Sequence, residues 1–205
     1  MKKIIYAAPA VAIILVAVAM LLPSGDEPRV ETNRYVDDNL MLKQKLAERG
    51  ISMSSPIKLQ NHDDIKQYCS FFADEEKQKT IEYCTSTELK DSDGKFLGNI
   101  HMVGSMNEPK TIMVLIQTDP FMSEIDSVKT VFDETIRDLV CDCWQQVMPD
   151  NFESTEKWIE GLRQFHLSDT KPHSKSKQLA LESKTIQLEL TTNEDGYMWQ
   201  LFIYE

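Results

Sequence analysis

Apolar and polar residues alternate strictly from Ile81. Ile81, Tyr83, Thr85, Thr87 and Leu89 interleave with Glu82, Cys84, Ser86, Glu88 and Lys90, the period of a strand with one face buried. Asp91-Ser92-Asp93-Gly94 predicts a hairpin turn into a second strand over 95–105. The nearly continuous apolar run at 111–118, with Ile112, Met113, Val114, Leu115 and Ile116, predicts a central strand that Pro120 closes. A second hairpin ends the chain. Ile186, Leu188 and Leu190 lead to the turn Asn193-Glu194-Asp195-Gly196, and Trp199, Leu201 and Ile203 share a face of the returning strand over 197–204.

Between the hairpins the period changes to that of a helix. Ser123 with Asp126 resembles a capping box, and Ile125, Val128, Phe132, Ile136, Leu139, Cys143 and Val147 lie on one face, predicting a helix from 123 to 147. A second helix begins near Ser154 with Trp158, Ile159, Leu162 and Phe165 inward, and 168–177 is a polar loop. Upstream, Asn61 caps a short helix carrying Ile65, Tyr68 and Phe72 on one side; 51–60 is a connector with Pro56 and a short edge strand. Strands and helices come in runs, in the order β-β-β-α-α-β-β. That predicts an α+β domain over 51–205 with a mostly antiparallel sheet and helices on one face.

Residues 4–22 break both periods. This uncharged run of nineteen follows Lys2 and Lys3 and precedes Asp26 and Glu27. As a helix it spans about 28 Å, close to the hydrocarbon thickness of a bilayer. Residues 1–22 are therefore expected to be a signal-anchor, a single pass through the cell membrane with the N-terminus cytoplasmic. The competing reading is a cleaved signal peptide, with Ala17-Val18-Ala19 as its cleavage site and a secreted product. Either way the rest of the chain is expected outside the cytoplasm. Segment 23–50 is expected to be a linker and helical stalk, polar with two Pro and a Gly over 23–29. Its helix over 30–49 carries Val36, Leu40, Leu46 and Ala47 and stops at Gly50. Such a stalk offers a route to a homodimer.

Charge and composition then narrow the function. The chain carries 33 acidic against 22 basic side chains, a net charge of −11. Beyond residue 22, with Lys2 and Lys3 removed, 20 bases face 33 acids, a net −13. Nucleic acid is not expected as a partner of so acidic a domain. A hydrophobic content of 41%, with three Trp and eight Phe, is enough for a packed core.

Cys69, Cys84, Cys141 and Cys143 are even in number, which in an exported domain points to disulfides. Residues two apart on a continuous helix point to different sides, so Cys141 and Cys143 are not expected to bond each other while that helix is intact. That leaves crossed bridges to Cys69 and Cys84, or a Cys69–Cys84 bridge with two thiols remaining.

The common catalytic signatures are absent from the sequence: no nucleophile elbow, phosphate loop, dinucleotide fingerprint or paired-histidine zinc motif. A Cys/His nucleophile pair could assemble in space for a hydrolase, for example Cys84 with His101 on neighbouring strands. His101, Met102 and Met106 offer soft donors for Cu(I), although strand parity sends His101 to the face opposite Met102 and Met106. Asp91-Ser92-Asp93-Gly94 lacks the glutamate that closes a calcium loop, position 102 being Met. The resulting expectation is a membrane-anchored extracytoplasmic protein-binding domain, accessory or assembling in role, with no catalysis and no cofactor. The alternative is a small-ligand or copper-binding protein.

Overall fold

The alternation that begins at Ile81 becomes a strand near one end of one large sheet. The structure, a computed structural model, describes residues 33–69, 75–168 and 171–204. The expected signal-anchor, the first part of the stalk segment and Phe72 lie outside these residues. In chain order the elements are α1 (Arg34–Glu48), β1 (Ser52–Met53), β2 (Ile57–Leu59), α2 (His62–Tyr68), α3 (Glu75–Lys79), β3 (Tyr83–Lys90), β4 (Phe96–Gly104), β5 (Pro109–Thr118), α4 (Ile125–Leu139), α5 (Trp144–Val147), α6 (Thr155–Ser168), β6 (His173–Lys175), β7 (Leu179–Leu181), β8 (Lys184–Asn193) and β9 (Gly196–Tyr204). The fold is α+β, and every strand pair among the described residues is antiparallel. Among those residues no helix is long and apolar enough to cross a membrane.

The strand order is β1-β3-β4-β5-β9-β8-β6, with β2 also on β3 and β7 also on β8. The two predicted hairpins, β3–β4 and β8–β9, thus lie in one sheet, joined through β5 and β9. Register fixes what each face carries. Thr87, Ile100, Val114, Leu201 and Leu188 form one row across the sheet; Ser86, His101, Met113, Phe202 and Gln187 form the neighbouring row on the opposite face. The first row packs into the main core with Leu42, Leu46, Phe132, Ile136, Trp158 and Ile159 from α1, α4 and α6. Each such buried side chain contributes about 1.5–3 kcal/mol by leaving water. Two glycines serve the sheet directly. Gly94 adopts φ +79 in the β3–β4 turn, and a Cβ at Gly98 would fall on the carbonyl oxygen of Leu115 in β5.

Helices do not keep to one face, which corrects the expected layering. Cys84 points away from the main core, and its bond to Cys69 fastens α2 to the other side of the sheet. There Ile65, Cys69, Ile81, Cys84 and Val103 form a second core with Leu59 beside it. The apolar pair Cys84 and Val103 on that face needs a cover, and α2 supplies it.

The described part of the expected stalk is a layer of the domain. In α1 the buried positions are Tyr35, Asn39, Leu42 and Leu46, spaced on one helical stripe. Tyr35 also donates its hydroxyl to the carbonyl of Ser105 at 2.9 Å. Val36 and Leu40, two of the four apolar positions singled out in the expected helix, remain exposed. Asn39 explains the shift, because a buried asparagine carries no hydrophobic signal in the pattern. Gly50 ends α1 as expected, with φ +77.

Three further expectations change. The capping box at Ser123 does not form: Asp119 accepts the Ser123 N–H at 2.9 Å and its hydroxyl at 2.8 Å, and α4 starts at Ile125. Phe165 on α6 and Tyr68 on α2 are exposed rather than inward. The stretch 168–177, expected as a loop, contains β6, a polar edge strand whose alternation is invisible because both of its faces are hydrophilic.

Candidate functional sites

The long helix expected over 123–147 is two helices with a corner between them. Val140 ends α4, Cys141 still donates its N–H to the Ile136 carbonyl at 3.0 Å, and Cys143 then becomes the cap of α5. Tertiary packing makes the corner. Trp144 is buried against Trp158, with ring centroids 5.6 Å apart, and its indole N–H donates to the Phe152 carbonyl at 3.0 Å. A straight helix would not deliver it there.

The corner overturns the geometric exclusion drawn from a continuous helix. Cys141 and Cys143 bond each other, with Cα atoms 5.2 Å apart, and Cys69 bonds Cys84 across 6.6 Å. Crossed bridges are not formed, and no cysteine among the described residues is free. The environments differ. Cys69 and Cys84 are wholly buried, whereas Cys141 and Cys143 are half-buried and flank the exposed Asp142. Asp142 faces Arg137, whose Nε lies 3.2 Å from its carboxylate. Glu182, in the turn between β7 and β8, brings a carboxylate oxygen to the same corner, where it and both sulfurs lie within 4.8 Å of one another.

The remaining sequence candidates do not assemble. His101 lies on the α2 side of β4 and is buried, which pushes its imidazole pKa down to about 4. Met102 points the opposite way into the main core, where its sulfur lies 3.4 Å from the Asn39 amide nitrogen. Met106 is exposed just beyond the end of β4. The three donors of the copper reading are therefore not brought together. Cys84, consumed in a disulfide, is no nucleophile for His101. The Asp91 carboxylate accepts the N–H groups of Asp93 and Lys95 at 3.0 and 2.8 Å, the work of a turn rather than of a cation.

Two concave surfaces escaped the sequence reading. On the sheet face that α2 shares, a cavity of about 680 Å³ crosses several strands, with Thr111, Thr185, Gln187 and Tyr204 on its floor and Lys110 and Lys175 among its walls. Strand parity puts Thr185 and Gln187 on one face of β8; pairing β8 to β9 and β9 to β5 is what sets Tyr204 and Thr111 beside them. A second groove, of about 350 Å³, runs between α1 and the β1–β2 arm. Val36, Leu40 and Pro56 give it an apolar lining, and Lys43 and Lys58 supply its charge. No family model matches the chain, and neither a curated protein nor a solved structure matches it.

Proposed function

We propose that this chain is a single-pass membrane protein, anchored through residues 4–22, whose domain outside the cytoplasm is a non-catalytic module that binds another protein. The observation that carries the binding role is the groove beside α1. Val36 and Leu40 are 46% and 54% exposed, one helical turn apart, on a helix whose other stripe is fully used by the core. Uncovered apolar side chains around a groove are a recognition surface in water. In a domain of net charge −13 the groove's own charges are Lys43 and Lys58. Its occupant is accordingly an apolar segment carrying acidic residues, laid against the helix or added to the short outer strand β2.

A photo-crosslinking residue placed at Leu40 in the full-length protein, in its own membranes, tests this. One adduct of defined mass is expected, absent when the same residue replaces Glu194 at the distant hairpin tip. Equal labelling at both positions, or none at Leu40, overturns the reading. Extraction of the protein from those membranes by alkaline carbonate would overturn the anchor.

The 680 Å³ cavity favours a second reading, a binding protein for a small solute, since its volume lies in the range of small-molecule sites. Lys110 and Lys175 select an anionic solute. A dicarboxylate that raises the unfolding temperature of the purified domain, but not of Lys110→Ala, would favour it over the groove.

A further inference from the structure

The two disulfides differ in a way the fold alone does not require. Cys69–Cys84 is sealed inside the second core and fastens α2, whereas Cys141–Cys143 spans a single residue at a half-exposed corner already held in shape by the Cys141 N–H donating to the Ile136 carbonyl and the Trp144 indole donating to the Phe152 carbonyl. Glu182 arrives at this corner from a separate hairpin. It is exposed, so no packing forces its carboxylate toward two sulfurs, and its backbone is left-handed at φ 52, a conformation disfavoured for a residue with a β-carbon. A carboxylate gains nothing electrostatically from a disulfide. Once the disulfide is reduced, the same three atoms are two sulfur donors and one oxygen donor converging from two elements.

We propose that Cys141, Cys143 and Glu182 form a redox-gated site for one thiophilic divalent cation of the zinc class. An external thiol opens it. The first thiolate attacks one sulfur, forms a mixed disulfide and expels the other cysteine as a thiolate. A second thiol then displaces the first as R–S–S–R. Two electrons enter the protein, and Cys141 and Cys143 are left as thiols. The cation displaces the two thiol protons, takes the Glu182 oxygen as third ligand and keeps water as the fourth, a tetrahedral set suited to a d10 ion. Two sulfurs exclude calcium and magnesium, which take oxygen ligands. Asp142 is not a ligand, because Arg137 engages it. Oxidation to the disulfide removes both sulfur donors and ejects the cation.

Cadmium is the probe, since its bond to thiolate gives an ultraviolet charge-transfer band. Full-length protein in detergent is reduced with dithiothreitol under native conditions, freed of reductant without air, and titrated. The expected result is one cadmium per chain in the reduced protein and none in the oxidised protein. Glu182→Gln should retain the band and weaken binding at least tenfold, and Cys141→Ser/Cys143→Ser should abolish it. No band in the reduced wild type overturns the proposal. So does undiminished affinity in Glu182→Gln, or uptake that survives in the double serine variant. Because Glu182 is exposed, its variant tests the site without risk to the fold.

Discussion

Arg49 donates from Nε to the carboxylate of Glu134 at 2.8 Å, which ties the end of α1 to the middle of α4. The glutamate is buried and the arginine half exposed, and Arg137 lies further off, 3.8 Å from the same oxygen. The pair adds a polar tie to the apolar packing of α1 through Tyr35, Leu42 and Leu46. Arg49→Ala removes the near donor and leaves a buried carboxylate, so it should cost about 2 kcal/mol. Glu134→Gln keeps an acceptor and should cost about half that. Denaturant unfolding of the two variants checks the order, and an Arg49→Ala loss within error of zero would refute it.

Asn39 and Thr87 form a buried polar contact between α1 and the sheet. Asn39 donates to the Tyr35 carbonyl at 2.7 Å and accepts the Thr87 hydroxyl at 3.0 Å. Asn39→Leu strands a buried hydroxyl and should destabilise by about 2 kcal/mol. Thr87→Val in the same chain removes the stranded group and should recover at least half of the loss. A double-mutant cycle with purely additive effects would contradict this coupling.

Acid should weaken the domain through His101. Burial lowers its folded pKa from 6.5 to about 4. Below pH 6.5 the unfolded chain therefore binds a proton that the folded protein refuses. Stability from this group is whole above pH 6.5, falls as pH drops to 4, and falls no further below it. The loss reaches about 3 kcal/mol over that window. Burial shifts His166 the same way, and shifts Asp38, Asp133 and Asp138 upward, which opposes it. The difference between wild type and His101→Gln isolates the histidine. Their stability curves should diverge between pH 7 and pH 4, and parallel curves would show that the imidazole does not titrate in that window.

The disulfides should differ in what they contribute to the fold. Loop-closure entropy gives about 3 kcal/mol for a bridge spanning fifteen positions and about 1.2 kcal/mol for one spanning two. Cys69→Ser/Cys84→Ser also loses the cover of the second core, so its unfolding midpoint should fall well below that of Cys141→Ser/Cys143→Ser. Comparable midpoints for the two double variants would contradict a structural role confined to the buried bridge.

Much of this architecture is legible in local order along the chain. Alternation from Ile81, the turns ending in Gly94 and Gly196 and the run at 111–118 are consequences of backbone geometry and neighbouring residues, so they predict β3, β4, β5, β8 and β9. The helical stripe Val128, Phe132, Ile136 and Leu139 predicts α4 for the same reason. An even cysteine count predicts disulfides, and alternation predicts that His101 and Met102 part company.

Tertiary contacts decided the rest. Where α4 stops depends on Trp144 finding Trp158 and Phe152, and only that corner lets Cys141 meet Cys143. Which stripe of α1 is buried depends on Thr87 donating its hydroxyl to Asn39, a contact that leaves Val36 and Leu40 outward. The cavity floor needs β8, β9 and β5 side by side, and the Glu182 carboxylate reaches the sulfurs from a hairpin 39 positions further along the chain than Cys143. Period and turn chemistry act within a few residues, so local order along the chain was enough for β3, β4, β5, β8, β9 and the body of α4. Surfaces and sites join residues far apart in the chain, and their contacts exist only once the entropy of closing those long loops has been overcome.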